Sequence, residues 1–145
     1  MGYLVEIISG KTIETYCQEN IFNPLNMNDT SFKFSNIDMN RAAVPYDFQS
    51  GKYIPIIHYD LLDSPAGGLR TTVLDLSHFL IAFMNKGIYN NKQILNESSI
   101  EMMHTIQYPN KDYNFEYGLG FQIWKNPNDI NIGHSNFRFN IRPFR

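Results

Sequence analysis

The sequence predicts an α/β protein of the α+β kind, in which a helical region precedes strands. One long apolar helix near the middle of the chain and two glycine-containing, alternating segments near its end carry this prediction. The chain of 145 residues is long enough to form a hydrophobic core. Its composition, with 43% hydrophobic and 18% charged residues, is that of an ordinary globular protein.

The central helix is predicted over Val73 to Lys86, because large apolar residues recur there at helical spacing. Thr72 is the expected N-cap, and Asp75 stands where the carboxylate of a capping box belongs. Gly87 occupies the position of a left-handed C-cap. Because polar residues fill only a narrow wedge, we expect most of the helix circumference to be buried. The apolar stripe consists of Val73, Leu76, Phe79, Leu80, Phe83 and Met84.

Three other segments are predicted to be helical. The apolar run from Leu4 to Ile8 is typical of the end of a buried helix that stops at Gly10. Thr12 begins a second helix whose apolar face includes Cys17, which we interpret as a core residue. Asn96 caps a further helix. The apolar residues after Asn96 are Ile100, Met103 and Ile106.

Four short segments are predicted to be extended. Val44–Tyr46 and Tyr53–Ile56 flank a hairpin-like turn at Gln49–Lys52. Near the end of the chain, Tyr117–Trp124 is glycine-spaced and then alternating, which is typical of a strand. Ile130–Ser135 is predicted as a second strand that leads to a polar tip.

Charge and hydropathy exclude several classes of partner. A net charge of −2 gives no electrostatic reason to expect nucleic acid or a membrane surface. The longest apolar run, Phe79–Met84, is far too short to cross a bilayer, and no signal peptide is visible. The single Cys17 excludes an internal disulfide. These features leave the compartment and the oligomeric state open.

No residue pattern indicates a metal or another cofactor. The histidines His58, His78 and His104 have no partners at the spacing of a zinc site. We expect His78 to be a solvated residue, and His104 to gain from its position near a helix C-terminus. The arginines at the end of the chain, Arg138, Arg142 and Arg145, have no basic domain behind them, which disfavours a nucleic-acid arm.

Several short motifs follow one another in a recognisable order. They are Gly2–Lys11, Glu19–Met27, Thr30–Phe32, Ser64–Leu69, Tyr117–Phe121 and Gly133–Ser135. This series resembles the serine beta-lactamase-like hydrolases, which include class C beta-lactamases, D-alanyl-D-alanine carboxypeptidases and related esterases and D-aminopeptidases. The resemblance implies part of a beta-lactamase/transpeptidase-like fold over residues 1–135, with its strands in an antiparallel sheet, truncated at both ends and followed by an atypical tail at 136–145. It also implies a small-molecule or peptide substrate and no cofactor.

The family uses three motifs: Ser-x-x-Lys, Tyr-x-Asn, and Lys/His-Ser/Thr-Gly on a sheet edge. A serine hydroxyl needs an adjacent base to become a nucleophile, yet no serine of this chain has a lysine three residues later. Tyr-x-Asn occurs at Tyr89 and Tyr108. We interpret both as chance matches, because the family's tyrosine motif precedes the segment that matches Met1–Gly10. The nucleophile would therefore lie outside this chain.

The third motif is present in an altered form. His134 and Ser135 match its first two positions, and we expect them to be catalytic, but Asn136 replaces the glycine. In the family this strand edge lies along the substrate, and the N–H of residue 137 would donate to the oxyanion. A histidine is largely neutral at pH 7, so it favours an ester or D-amino-acid peptide over a penicillin as substrate. The alternative is that His134 has no functional role and is simply the residue that ends an edge strand.

Gly67 and Gly68 are the expected substrate-binding residues. They follow Pro65 in a loop that can bring bare backbone close to a ligand, and Gly67 matches a position where class C beta-lactamases carry a pocket tyrosine. Equally, both glycines could serve only to shape the turn into the central helix.

Two functional interpretations follow. The chain is either a fragment or frameshifted product of a serine hydrolase that forms an acyl-enzyme on an ester or amide, or a non-catalytic degenerate or interaction module of the same fold. In both cases we expect no covalent labelling of this chain by a fluorophosphonate, and poor solubility caused by uncovered apolar surface.

Overall fold

The computed structural model describes residues 1–57, 64–108, 116–126, 129–136 and 139–140. The chain divides into two compact units, Met1–Phe79 and Leu80–Arg145, with the boundary inside the central helix. The helices are α1 (Gly2–Ser9), α2 (Ile13–Cys17), α3 (Ser64–Gly67), α4 (Val73–Met84) and α5 (Glu97–His104). The strands are β1 (Tyr46–Gln49), β2 (Lys52–Pro55), β3 (Ile88–Tyr89), β4 (Lys92–Gln93), β5 (Glu116–Tyr117), β6 (Gln122–Asn126), β7 (Asp129–Gly133), β8 (Ser135–Asn136) and β9 (Phe139–Asn140). This mixture of helices and small antiparallel sheets confirms the predicted class.

The ends of α1 and α2 lie where the sequence predicts them. Gly10 adopts a left-handed conformation with φ 67°, and its N–H donates to the Glu6 carbonyl oxygen to close α1. The Thr12 hydroxyl oxygen accepts from the Thr15 N–H at 3.2 Å and begins α2. The chain then continues directly into one π-helical turn over Gln18–Phe22.

The prediction that α1 is buried is wrong for this chain. None of the residues of α1 is buried, and its large apolar side chains face solvent. Their exposed fractions are 74% for Tyr3, 50% for Leu4, 65% for Ile7 and 77% for Ile8. An apolar run shows that a helix prefers burial, but it does not show that the same chain supplies the covering surface.

The central helix α4 has the predicted cap and less burial than expected. The Thr72 hydroxyl accepts from the Asp75 N–H at 3.1 Å and forms the predicted N-cap. The helix ends at Met84, two residues before the predicted Lys86, and Lys86 as well as Gly87 has a positive φ, at 56° and 86°. Val73 is nevertheless 85% exposed and Met84 65% exposed. The expectation of a helix buried on most of its circumference is therefore wrong, for the same reason as in α1.

Each unit has a small core of its own. Among the described residues of the first unit, the buried apolar ones are Cys17, Phe22, Leu25 and Met27. Among those of the second unit they are Ala82, Ile100 and Ile123. Phe83 and Phe121 extend the second core, with ring centroids 4.6 Å apart.

Two hairpins carry tight turns. The predicted hairpin forms between β1 and β2, with Phe48 opposite Tyr53 and positive φ at Ser50 and Gly51, as a two-residue turn of this kind requires. Strands β3 and β4 form a second, very short hairpin. Its turn residues are Asn90 and Asn91, both at positive φ, a conformation that asparagine tolerates.

The sheet near the end of the chain has the order β5–β6–β7. The single strand predicted over Tyr117–Trp124 is broken, because Gly120 has a φ of 75° and the Gly118 N–H closes a turn onto the Phe121 carbonyl at 2.9 Å. The second predicted strand forms as β7, ends at Gly133 and pairs with β6. Strand β8 pairs with β9 instead.

Candidate functional site

The Gly67–Gly68 turn is anchored by a backbone bridge that immediately follows it. Gly67 ends α3, Gly68 is buried, and two residues later Arg70 pairs with Ser31. The Ser31 N–H donates to the Arg70 carbonyl at 3.0 Å, and the Arg70 N–H donates to the Ser31 carbonyl at 2.9 Å. This bridge ties the turn to the segment that follows α2 and the π-helical turn.

The Arg70 side chain folds back on the same turn. Its Nη1 donates to the Gly68 carbonyl oxygen at 3.0 Å and lies 3.4 Å from the Phe32 carbonyl oxygen. The guanidinium also stands over the Phe34 ring, 5.1 Å from its centroid. The turn is therefore held by both the backbone and the side chain of Arg70.

The start of α1 packs closely against α3, the short helix that leads into this turn. A Cβ atom on Gly2 would lie 2.5 Å from Cγ of Pro65, so only a glycine allows this close approach. This contact gives a structural reason for glycine at position 2 in the first of the family-like motifs. Sequence reasoning noted the motif but could not find its partner, because Pro65 is distant in the chain.

The buried carboxylate of Glu14 holds the segment around Ser31, which forms one side of the bridge. Glu14 is only 6% exposed, although it stands in the first turn of α2, where a carboxylate is usually solvated. It accepts hydrogen bonds from the Ser31 hydroxyl at 2.5 Å and from the Phe32 N–H at 2.8 Å. The Asn36 amide donates to it at 2.9 Å. Glu14 therefore fixes the segment that pairs with Arg70.

The charged form of Glu14 is favoured in the fold. Burial alone would raise the pKa of this carboxyl, but hydrogen bonds, the strongest from Ser31, outweigh burial and hold the pKa below its ordinary value. A carboxylate in the first turn of a helix also gains from the helix dipole. The burial and the distant donors of Glu14 gave no signal in the sequence.

A second buried carboxylate, Asp75, links α4 to the same segment. Its Oδ2 accepts from the Asp29 N–H and from the Thr30 hydroxyl, each at 2.7 Å. The Thr30 hydroxyl also lies 2.7 Å from the Thr71 hydroxyl. Asp75 was predicted for the capping box; the structure shows that its carboxylate serves a tertiary contact while its N–H completes the cap.

The thiol of Cys17 lies in the core of the first unit, as predicted, with 7% of the residue exposed. Burial raises the pKa of the Cys17 thiol, and the charge of Glu14 raises it further. We expect the native chain to react slowly with DTNB at pH 8, and the same chain in guanidinium chloride to react at the rate of a free thiol. Equal rates in the two states would contradict the burial of Cys17.

The structure places His134 and Ser135 at the end of β7. Gly133 is buried opposite Gln122, and His134, the next residue, is exposed. Ser135 opens β8. Residue 137, whose N–H was expected to meet the oxyanion, lies outside the described residues. Gly67 and Gly68 belong to the first unit, and His134 and Ser135 belong to the second.

The two remaining described histidines differ from their predictions. His78 was expected in solvent, but it is half-buried and its Nδ1 is shielded from water. His104 was expected to gain from the C-terminus of α5, yet burial lowers its pKa. Its ring stands edge-on to Phe83, with centroids 4.6 Å apart, and its Nε2 is buried without a partner among the described residues. Desolvation therefore outweighs the helix dipole.

The lowered pKa of His104 predicts a loss of stability in acid. Above pH 6.5 His104 is neutral in both states; below that value the unfolded chain binds the proton more readily, so unfolding becomes easier as the pH falls. We expect the urea midpoint, followed by the fluorescence of the single Trp124, to fall between pH 7.5 and pH 5.5. His104→Leu should show a smaller fall, and equal falls would contradict the role of His104.

The described part of the chain shows neither a candidate metal site nor a membrane-spanning helix. No group of at least three His, Cys, Asp or Glu side chains there could hold a metal ion. No helix among those residues has the length and hydropathy needed to cross a membrane. His58 and the arginines Arg138, Arg142 and Arg145 lie outside the described residues.

Solved structures share this architecture. The octameric penicillin-binding protein homologue from Pyrococcus abyssi matches 92% of the chain with a TM-score of 0.76 and 26% identity. The D-amino acid amidase from Ochrobactrum anthropi matches 92% with a TM-score of 0.66 and 22% identity, which supports the fold alone. The matches cover 30% and 39% of those two chains. The chain thus has part of the fold of the beta-lactamase and penicillin-binding protein class, as predicted.

The sequence comparisons define the family. A family model described as Beta-lactamase matches residues 1–138, so the chain belongs to the serine beta-lactamase-like family. Beta-lactamase-like protein 1 of Dictyostelium discoideum is 38% identical over 80 residues, which are 54% of this chain and 13% of that protein. Beta-lactamase-like protein 4 of the same organism is 31% identical over 115 residues, which are 74% of this chain and 20% of that protein. The chain therefore spans less than a quarter of each of these relatives.

Proposed function

We propose that these residues are one part of a serine acyl hydrolase that acts on an ester or amide, such as a D-amino-acid peptide, an ester or a beta-lactam. The observation that carries the proposal is the family match over residues 1–138, together with the ordered motifs that end at His134 and Ser135. In this proposal the chain supplies the Gly67–Gly68 turn and the strand edge at His134 and Ser135. The residues after Ser135 form an atypical tail.

The nucleophile would come from outside this sequence. No serine here is followed by lysine at the third position, and a serine without a base is a poor nucleophile. The fraction of each relative that the chain spans agrees with a division of the catalytic machinery between this segment and a further one. His134 would contact the leaving or acyl group, and the strand edge would orient it.

The test compares this chain with the product of the complete reading frame that contains it. We expect a fluorophosphonate to label a serine outside these 145 residues, and alanine at that serine to abolish the label. The chain alone should remain unlabelled, and it should hydrolyse neither nitrocefin nor a p-nitrophenyl ester. Covalent labelling of the chain alone, or a reading frame without Ser-x-x-Lys, would reject the proposal.

A second candidate is a non-catalytic module of the same fold. The observation that favours it is Asn136, which replaces the glycine of the third motif and adds a side chain where the substrate would approach. The same labelling experiment decides between the two, because a non-catalytic module predicts no labelled serine even in the complete product.

A further inference from the structure

The peptide between Gly68 and Leu69 has a hydrogen-bond partner on one side and, among the residues that the structure describes, none on the other. On one side, the Gly68 carbonyl oxygen accepts from Arg70 Nη1 at 3.0 Å. On the other side, the Leu69 N–H has no acceptor among the residues that the structure describes, and Leu69 is 42% exposed. A backbone donor that has no acceptor among the described residues, in a partly exposed residue, is an available contact for a ligand.

The geometry of the peptide connects these two facts. The chain has no cis peptide bonds among its described residues, and in a trans peptide the carbonyl and the N–H point in opposite directions. Because the Gly68 carbonyl points toward Arg70, the Leu69 N–H points away from it. The orientation of the donor is therefore set by the guanidinium.

Arg70 is itself held in place by contacts on several sides. Its backbone forms both hydrogen bonds of the bridge with Ser31, and its guanidinium lies over the Phe34 ring. Glu14 in turn holds Ser31 through the 2.5 Å hydrogen bond from the serine hydroxyl. A side chain anchored in this way can fix the plane of the neighbouring peptide.

We propose that Arg70 is a positioning residue that turns the Leu69 N–H outward as a hydrogen-bond donor to a carbonyl or carboxylate oxygen of the substrate. This inference rests on the proposed function of the Gly67–Gly68 turn as a substrate-binding element. Arg70 acts through the peptide plane and does not itself contact the substrate. Lysine cannot replace it, since an ammonium group lacks the planar fork that donates while stacking on a ring.

Two isotopes make this peptide visible on its own. When glycine carries ¹³C in its carbonyl and leucine carries ¹⁵N, only Gly–Leu pairs give a coupled NMR signal. The chain has two such pairs, Gly68–Leu69 and Gly118–Leu119, so the second pair is an internal reference. The variant Leu119→Met removes one signal and assigns both.

The variants compare two arginines of the first unit. In Arg70→Lys we expect the Gly68–Leu69 signal to move and the Gly118–Leu119 signal to stay. The matched control is Arg41→Lys, because Arg41 makes an exposed pair with Asp29 and should move neither signal. If Arg70→Lys does not fold, Phe34→Leu removes the ring beneath the guanidinium and should move the same signal. An unmoved Gly68–Leu69 signal in the folded variant would overturn the positioning role.

The donor role is tested with D-phenylalanine amide as the probe. We expect the probe to move the Gly68–Leu69 signal of the unaltered chain, and to need a several-fold higher concentration in Arg70→Lys. A probe that binds without moving this signal, or that moves neither signal, would overturn the donor. Serine labelling of the complete product is a separate measurement. If the complete product is labelled but the Gly68–Leu69 signal does not respond to the probe, only the inference about Arg70 and Leu69 is rejected. If that signal responds but the complete product is not labelled, only the proposed hydrolase function is rejected.

Discussion

Alanine in place of Gly87 is expected to lower the free energy of unfolding of the second unit by about 3 kcal/mol. Two costs add at this position. Gly87 has a φ of 86°, which a side chain disfavours, and a Cβ there would lie 2.0 Å from the Leu95 carbonyl oxygen. That oxygen belongs to the backbone, so it cannot turn aside. The measurement is urea unfolding followed by Trp124 fluorescence.

Gly120 is the matched control for this substitution. It lies in the same unit with a φ of 75°, but no atom of the described residues stands within 4 Å of where its Cβ would be. Gly120→Ala should therefore cost only the conformational part, about 1 kcal/mol. If both substitutions lower the free energy of unfolding equally, the contact with Leu95 does not contribute to stability. The close approach of the segments around Gly87 and Leu95 would then be contradicted.

Alanine in place of Glu14 is expected to destabilise the first unit by a similar amount, about 3 kcal/mol. The substitution leaves the Ser31 hydroxyl and the Phe32 N–H without their acceptor in a buried place. Unfolding of this unit can be followed by pulsed alkylation of Cys17 in increasing urea, because the thiol is buried in the folded unit.

Glu19 provides the control, and pH provides a second test. Glu19 is exposed and pairs with Lys11, so Glu19→Ala should cost less than about 1 kcal/mol. Because the pKa of Glu14 is lowered in the fold, its charge stabilises the fold above pH 4.5, and this contribution is lost as the pH falls through the folded value. The difference between the original chain and Glu14→Ala should therefore shrink below pH 4.5. A difference that is constant down to pH 3 would contradict a charged Glu14.

Local features were predictable because their partners are close in sequence. Thr12 and Asn96 both cap helices through the N–H three residues later, so a short pattern contains the whole interaction. The hairpin turn at Ser50 and Gly51 is equally local. The family resemblance rested on the order of such short motifs, and it defined the fold class without any long-range information.

The parts that were missed depend on distant partners. Asp75 accepts from Asp29 across 46 positions, and Glu14 accepts from Phe32 across 18, so no window of sequence contains either pair. The predicted burial of α1 was wrong for a different reason. The apolar pattern correctly predicted the helix, but such a pattern does not show which surface would cover it. His134 and Ser135 were placed at a strand edge from their motif alone, and their catalytic role stays a prediction.

The bare face of α1 has a consequence for handling the isolated chain. Four large apolar side chains, Tyr3, Leu4, Ile7 and Ile8, are at least half exposed on a single helix. Two chains that associate through such faces bury apolar surface against each other. The rate of this association grows with the square of the chain concentration. Dilution during refolding should therefore raise the yield of monomer more than a change in the pH or ionic strength of the buffer.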